Sequence, residues 1–263
     1  MDNWYLAVIL GIVEGLTEFL PISSTGHLII TGHLLGYTGA HAETFEVAIQ
    51  LGAILAVVVL YRDIFLGLLT KNPDKPFSGM RGIGLLILTS IPASVVGLLA
   101  HSYIKSHLFN PITVSMALFV GAIIILIVEQ LNLTPKTESI DEVTPGLALG
   151  IGFFQCLALW PGFSRSAATI MGGMILGAKR TVAAEYSFIA AVPIMVAATG
   201  YDLLKSYQLF SANDALFLAI GFITSFITAL AAIKLFIVLL QKITLRGFAY
   251  YRLIVAPIVF FTM

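Results

Sequence analysis

Long apolar stretches recur along the chain and predict helices that cross a membrane. A helix needs about 20 consecutive apolar residues to span the hydrocarbon core of a bilayer. Six segments reach or approach this length, and they lie near residues 44–62, 83–101, 112–131, 185–204, 215–240 and 249–262. The last segment is short, and Pro257 leaves its end undefined.

Two further apolar regions are interrupted by polar residues and do not fit simple spans. Residues 4–35 are broken at Pro21, and residues 146–177 are broken around Pro161 and Arg165. Irregular backbone at membrane depth is tolerated only where protein or a water-filled cavity satisfies its polar groups. We therefore predict that each region is a re-entrant helical hairpin, which enters and leaves the membrane on the same side.

The two interrupted regions are also similar to each other, which indicates an internal repeat. Gly11-Ile-Val-Glu-Gly-Leu aligns with Gly152-Phe-Phe-Gln-Cys-Leu, and Pro21-Ile-Ser-Ser aligns with Pro161-Gly-Phe-Ser. Each hairpin is followed by three spans, so the second half is expected to be inverted. The prediction is a single membrane domain, 1–263, made of inverted repeats over 1–135 and 145–263. Such interrupted helices at matching positions are typical of a central binding site.

Composition narrows the class of protein. The chain of 263 residues is 59% hydrophobic and 11% charged, whereas soluble proteins average about 25% charged residues. A soluble globular domain is therefore excluded. The predicted fold class is an all-α polytopic integral membrane protein, with membrane lipids around it. Lysine and arginine together number 14, as do aspartate and glutamate, so no excess of positive charge favours nucleic acid as a partner.

Basic residues predict the orientation, because cytoplasmic loops carry most of the lysine and arginine. In the predicted topology, one face has nine basic residues and the opposite face has only Lys105 and Lys205. The nine are Arg62, Lys71, Lys75, Arg81, Lys136, Lys179, Arg180, Lys242 and Arg246. We therefore expect the first face in the cytoplasm and the opening of the first hairpin on the periplasmic or extracellular side.

The first hairpin carries a polar cluster over residues 14–27. Glu14 and Glu18 are four residues apart and share one helix face. Ionisable groups at membrane depth are functional-site hypotheses by default, and two like charges there repel unless a cation, a proton or an arginine relieves them. The following turn adds three hydroxyl groups near the start of a helix, from Ser23, Ser24 and Thr25. The simpler alternative is ordinary helix caps beside a carboxylate pair in water.

The second hairpin supplies a complementary cluster over residues 161–169. Arg165 follows a Pro-Gly break near the start of a helix, whose free N–H groups also favour anions. Arginine binds phosphate through two parallel hydrogen bonds and keeps its charge. If the hairpins meet, they form a plausible phosphoryl-transfer site, in which the carboxylates could hold Mg²⁺. The alternative is a structural Glu–Arg pair that pins the hairpins together.

Both clusters resemble the signature motifs of a known family. EGLTEFLPISSTGH at 14–27 and PGFSRSAAT at 161–169 are similar to the motifs of the bacitracin-resistance family of bacterial undecaprenyl-diphosphatases, and FEVAIQLGAILAVVV at 45–59 matches too. The resemblance runs essentially end to end. It implies an enzyme of the bacterial plasma membrane that hydrolyses undecaprenyl diphosphate to the monophosphate. This reaction recycles the lipid carrier of cell-wall synthesis, and the family depends on a divalent cation, Mg²⁺ or Ca²⁺.

The resemblance also implies site residues. Five positions match functionally essential residues of the family, namely Glu14, Glu18, Ser24, His27 and Arg165. We assign all of these except Glu14 to catalysis, and Glu14 with Glu18 to the metal ion. Arg165 is also assigned to substrate binding, together with Ser23, Thr25, Ser164, Ser166 and Thr169. The second motif differs from many members of the family at Ala167, a mild change from glycine within a helix.

The expected mechanism begins with attack of Ser24 on the terminal phosphorus, with His27 as the base one turn away. In an alternative mechanism His27 is the nucleophile, and the sequence does not decide between the two. The competing function is a secondary transporter or a flippase of polyprenyl phosphate, which would use the same inverted-repeat site without chemistry. A dual role in hydrolysis and lipid re-orientation is left open, as is a homodimer.

Overall fold

The computed structural model describes residues 4–206 and 214–262, which form eleven α-helices and no β-strand. The helices of the first half are α1 (Trp4–Thr17), α2 (Ser24–Leu34), α3 (Ala40–Leu60), α4 (Arg62–Gly67), α5 (Gly79–His107) and α6 (Pro111–Val128). Those of the second half are α7 (Pro145–Gln155), α8 (Arg165–Ile175), α9 (Arg180–Ser206), α10 (Ala215–Leu240) and α11 (Arg246–Thr262). Short 3₁₀ turns lie at Ile140–Glu142 and Cys156–Leu159.

Five of the described helices are long and apolar enough to cross a membrane, namely α3, α5, α6, α9 and α10. They confirm five of the six predicted spans. The sixth, predicted at 249–262, lies in α11, which has 17 residues and includes Arg246 and Arg252. Large apolar side chains such as Leu99 and Phe261 are 85% and 82% exposed. Because extended exposed apolar surface is rare on soluble proteins, the chain is an all-α polytopic membrane protein.

The two interrupted regions form helical hairpins with short arms. Helix α1 packs against α2, and α7 packs against α8. The arms have 14, 11, 11 and 11 residues in chain order. At about 1.5 Å per residue, none of them crosses a hydrocarbon core about 30 Å thick. The lengths support the prediction of re-entrant hairpins.

Both hairpins turn through a serine that has the same unusual backbone conformation. Ser23 and Ser164 have φ angles of 71° and 78°, the only positive values outside glycine in the described residues. Each serine caps the next helix, because its Oγ accepts the backbone N–H of Gly26 or Ala167. A positive φ in serine is strained and persists only where surrounding contacts hold it. By this shared geometry, Ser23 corresponds to Ser164. The sequence alignment pairs Ser24 with Ser164, so the structural correspondence is shifted from it by one residue.

Contacts between helices are reciprocal between the two halves. Helix α1 packs on α10, and α7 packs on α5. Helix α3 contacts α10, and α5 contacts α9. In addition, α3 packs on α9 and α6 packs on α11. Such exchanged contacts are expected of two halves related by a two-fold axis. The repeat bounds of 1–135 and 145–263 stay a prediction.

Close packing of α1 on α10 holds the first hairpin. A Cβ atom at Gly11 would lie 2.7 Å from the carbonyl oxygen of Gly221, and one at Gly15 would lie 2.5 Å from that of Ser225. Small residues four apart on facing helices permit this close approach in a membrane. The two glycines therefore fix the position of α1, which carries Glu14 and ends directly before Glu18.

We expect Gly15→Ala to destabilise the protein by about 1–3 kcal/mol, as overpacking generally does, because the new methyl group has no space. Gly84→Ala in α5 is the matched control, since a Cβ there would have nothing within 4 Å outside its own stretch of helix. Thermal unfolding in detergent measures both variants. An unfolding midpoint of Gly15→Ala equal to that of wild type would contradict the close packing.

Candidate active site

The turns of the two hairpins are in direct contact. The hydroxyl of Ser166, at the start of α8, donates to the carbonyl oxygen of Leu20 at 2.8 Å. Arg165 Nη2 donates to Glu18 Oε1, also at 2.8 Å. Two polar clusters that are 147 residues apart in sequence, counted between Glu18 and Arg165, thus form one site.

Glu18 connects the serine of the first hairpin to the arginine of the second. Ser24 Oγ donates to Glu18 Oε2 at 2.6 Å, while Glu18 Oε1 accepts from Arg165. The side chains of Glu18 and Arg165 are only 8% and 13% exposed. The guanidinium thus gives the carboxylate an opposite charge in an apolar environment. Glu18 Oε2 is placed to accept the hydroxyl proton of Ser24.

Helix α9 also orients Arg165. Its Nη1 donates to the carbonyl oxygen of Ser187 at 3.2 Å, and the hydroxyl of Ser187 lies 2.6 Å from Thr169 Oγ1. The guanidinium carbon lies 5.5 Å from the ring centroid of Phe19. The buried Nε of Arg165 has no hydrogen-bond partner in the described part of the chain, so the side chain keeps a free donor. Sequence analysis did not identify Ser187, because nothing distinguishes it from other small polar residues in an apolar helix.

A cavity of about 170 Å³ lies between the hairpins. Six predicted site residues line it, namely Glu18, Ser23, Ser24, Thr25, Ser164 and Arg165. The rest of the wall consists of Gln50 from α3, Met195 from α9, and Ala158, Pro161 and Gly162 from the second hairpin. Both α2 and α8 begin at this cavity, and the free N–H groups of a helix start favour anions. With Arg165, the two helix starts make the cavity suitable for a phosphorylated group.

Ser166 and Thr169 lie outside the wall of the cavity, although sequence analysis assigned both to substrate binding. Both are fully buried and are not among the residues that line the cavity. Ser166 bonds to Leu20 and lies 3.0 Å from Ser164 Oγ, whereas Thr169 donates to the carbonyl oxygen of Arg165 and contacts Ser187. These contacts position the two turns and Arg165. Direct contact of either residue with substrate stays a prediction.

His27 lies beside the site, with both ring nitrogens engaged. Its Nδ1 is 2.7 Å from the carbonyl oxygen of Ser23, and its Nε2 is 2.8 Å from Tyr251 Oη. The carbonyl can only accept, so Nδ1 carries the proton and a neutral ring accepts the Tyr251 hydroxyl at Nε2. The hydrogen bond expected between His27 and Ser24 is thus replaced by one from Ser24 to Glu18. Tyr251 gave no signal in the sequence, because it lies 224 residues away from His27.

Glu14 lies one helical turn before Glu18 and is not among the residues that line the cavity. It is fully buried, and neither carboxylate oxygen has a hydrogen-bond partner among the described residues. A buried, unpaired carboxylate is very costly, so a proton or a cation must neutralise it. Carboxylate oxygens are suitable ligands for Mg²⁺ and Ca²⁺, and in this respect Glu14 fits the predicted metal role.

A cation bound by Glu14 would need further ligands, and these would have to include atoms of the substrate. Both oxygens of Glu18 already accept hydrogen bonds. In residues 4–206 and 214–262, no group of three or more acidic, histidine or cysteine side chains could hold a metal ion. Phosphate oxygens commonly complete Mg²⁺ sites that have one or two carboxylates. The residues therefore fit a cation that binds together with a phosphorylated ligand.

The fold and the site define a class: an all-α membrane protein with a cavity between two broken hairpins that is lined by an arginine and by the starts of two helices. The chain belongs to the bacitracin resistance protein BacA family, whose profile matches residues 7–258. It is 72% identical to the undecaprenyl-diphosphatase of Maridesulfovibrio salexigens over 99% of both chains. It is 67% identical to that of Nitratidesulfovibrio vulgaris, over 100% of this chain and 99% of the relative. Identity to the undecaprenyl-diphosphatase of Lawsonia intracellularis is 59%, over 99% and 98% of the two chains.

Replacing the two glutamates of α1 and its turn should have different effects on stability. Glu18→Gln leaves the guanidinium of Arg165 without an anionic partner, and breaking a buried pair costs about 3–5 kcal/mol. Glu14→Gln replaces a buried carboxyl group whose oxygens have no hydrogen-bond partner among the described residues, so we expect unchanged or higher stability in the presence of a chelator. Thermal unfolding in detergent compares the two variants. A larger loss for Glu14→Gln would contradict these contacts.

Proposed function

We propose that this protein is an undecaprenyl-diphosphatase, which hydrolyses undecaprenyl diphosphate to undecaprenyl phosphate and inorganic phosphate. The observation that carries the proposal is the chain of contacts from Ser24 through Glu18 to Arg165 in a cavity between the hairpins. These contacts bring a hydroxyl, a carboxylate and a guanidinium into one small space, which supports their proposed roles as nucleophile, proton acceptor and phosphate-binding cation. Relatives at 59–72% identity have the same enzyme name. The reaction recycles the lipid carrier for cell-wall synthesis and would confer bacitracin resistance.

In the proposed mechanism, Ser24 Oγ attacks the terminal phosphorus while its proton passes to Glu18. The bond from phosphorus to the bridging oxygen breaks, and undecaprenyl phosphate leaves. Arg165 and the N–H groups at the starts of α2 and α8 stabilise the charge that develops on the phosphoryl oxygens. Water then attacks the phosphoserine, Glu18 returns the proton to Ser24 Oγ, and inorganic phosphate is released.

His27 has a less direct place in this mechanism. Both ring nitrogens bond to other groups, the carbonyl of Ser23 and the hydroxyl of Tyr251. As a nucleophile or base it would first have to lose one of these hydrogen bonds. The contacts therefore favour Ser24 as nucleophile and Glu18 as base, with His27 adjacent to the strained turn at Ser23.

We also propose a divalent cation, Mg²⁺ or Ca²⁺, held by Glu14 and Glu18. When bound, it would neutralise negative charge on the diphosphate. The support is the buried carboxylate of Glu14, whose two oxygens have no partner among the described residues.

The proposed location is the plasma membrane of a bacterium, with the cavity open to the periplasmic or extracellular side. The support is the nine-to-two distribution of basic residues, which favours a cytoplasmic position for the face that has nine of them. The isoprenoid chain of the substrate would stay in lipid while the diphosphate enters the cavity. A homodimer remains a prediction.

A secondary transporter or flippase of polyprenyl phosphate is the second candidate. The reciprocal contacts of the two halves favour it, because inverted repeats with broken helices are common among transporters. Transport requires charge complementarity but no nucleophile. Phosphate release by the purified protein in detergent, where no second compartment exists, distinguishes the enzyme from a transporter.

Ser24→Ala should lower the rate of phosphate release from a polyprenyl diphosphate on the order of 10³-fold or more, since removal of a nucleophile has effects of this size or larger. Ser90→Ala is a matched control, because the Ser90 hydroxyl bonds to the carbonyl of Leu86 in its own helix. We expect the control to release phosphate at the wild-type rate. A near-normal rate for Ser24→Ala would exclude Ser24 as nucleophile.

Chemical stability of the trapped phospho-enzyme provides an independent test of the nucleophile. A phosphoserine ester survives acid and is lost in base, whereas a phosphohistidine is lost in acid. With substrate labelled in the terminal phosphate, we expect an acid-stable label that disappears in Ser24→Ala. An acid-labile label would instead support His27.

The proposed cation predicts that a chelator abolishes phosphate release and that Mg²⁺ or Ca²⁺ restores it. Substrate-bound wild type should also gain thermal stability on addition of the cation, because a ligand that binds only the folded state stabilises it. Glu14→Gln should lose this gain, since it removes an ionised ligand. An equal gain in Glu14→Gln would contradict a role for Glu14 in cation binding.

A further inference from the structure

Arg252 in α11 is a fully buried arginine outside the cavity. Its guanidinium makes four hydrogen bonds, and all of them go to main-chain carbonyl oxygens. Within the described residues Arg252 takes part in no ion pair, the three pairs being Arg62–Asp63, Arg165–Glu18 and Arg180–Glu129. Burying a cation without an anionic partner is costly. The role of Arg252 in the structure therefore requires an explanation.

Two of the four acceptors belong to the two hairpin turns. Nη1 of Arg252 donates to the carbonyl oxygen of Pro21, and Nη2 donates to that of Gly162, both at 3.3 Å. Pro21 lies two residues before Ser23, and Gly162 lies two residues before Ser164, the two serines with positive φ. The guanidinium therefore bonds to equivalent carbonyls of the two turns. Its planar fork suits this geometry, because its N–H groups point in fixed, divergent directions.

The other two acceptors fix the guanidinium to α6. Nε donates to the carbonyl oxygen of Leu118 and Nη2 to that of Ala117, each at 3.1 Å. Gly121 provides the space, since a Cβ atom at that position would overlap Nη2 of Arg252. Helix α6 thus holds the guanidinium through two carbonyl oxygens, and the carbonyl oxygens of the two turns accept its other hydrogen bonds.

We propose that Arg252 is a positioning residue for the phosphatase reaction, which fixes the turn of Ser24 relative to the turn of Arg165 by bonding to both backbones. The inference rests on the site proposed above. The two turns provide the nucleophile and the phosphate-binding cation from separate hairpins, so their separation determines whether both reach one diphosphate. Among the described residues, Arg252 is the side chain whose donors contact the backbone of both turns.

The test is the turnover number of Arg252→Lys, measured per folded enzyme in detergent. Lysine keeps the charge, but its single ammonium group cannot reproduce the fork that reaches both carbonyls. We expect kcat to fall on the order of 10²-fold, the size of effect that a misplacement of about 1 Å can cause, with a smaller change in KM. Arg246→Lys on the same helix is the matched control, because Arg246 bonds to the carbonyl of Glu129 instead; its kcat should equal that of wild type.

A double-mutant cycle with Arg165→Lys separates positioning from a merely structural role. If Arg252 aligns Arg165 with Ser24, the loss of kcat caused by Arg165→Lys should be at least several-fold smaller in the Arg252→Lys background than in wild type. A structural role would lower the unfolding midpoint and leave kcat per folded enzyme and the effect of Arg165→Lys unchanged. That result would overturn the proposal.

Gly121→Ala provides a second variant in case Arg252→Lys does not fold. It retains the arginine but fills the space of the guanidinium, and we expect a similar selective fall in kcat. A wild-type kcat in Gly121→Ala would overturn the inference. Wild-type enzyme in the same assay tests the proposed function separately, since that function fails only if wild type releases no phosphate.

Discussion

The ion pair between Glu18 and Arg165 joins the two hairpins where an isolated charge would be most costly. Attraction between opposite charges is stronger in an apolar environment than in water, and each charge alone at membrane depth carries a large penalty. The hairpins therefore cannot separate without exposing an uncompensated charge to an apolar environment. Because Glu18 also accepts the hydroxyl of Ser24, the contact that connects the two halves is the same contact that places the nucleophile.

Around this pair the two turns share a shape but differ in chemistry. The caps pair Ser23 with Ser164, an offset of 141 residues, and the same offset pairs Ser24 with Arg165. Near a two-fold axis, equivalent positions approach each other. Two arginines at these positions would repel each other, and two serines would give a neutral site. The first turn instead provides the nucleophile and the second provides the cation, which together suit an anionic substrate.

Much of this architecture is predictable from the hydrophobic pattern. Five spans, the two breaks and six of the residues that line the cavity follow from apolar run length, helix breakers and motif resemblance. Less predictable were the one-residue shift in the alignment of the turns and the contacts of His27. Both depend on the backbone conformation at Ser23, which a serine adopts only under strain and which no local pattern indicates.

The sequence by itself determined that the chain is a membrane protein, that two hairpins are broken, and that carboxylates and an arginine share an apolar environment. It did so because burial costs and helix geometry act over short stretches of chain. Only the tertiary structure decided which groups bond: Ser24 to Glu18, His27 to Tyr251, and Arg252 to both turns. The contacts His27–Tyr251 and Arg252–Pro21 join residues 224 and 231 positions apart, and the contact Arg252–Gly162 joins residues 90 positions apart. Their partners are set by how α6, α9 and α11 pack around the turns, since an apolar interior requires each buried polar group to bond to whichever group the packing brings within reach.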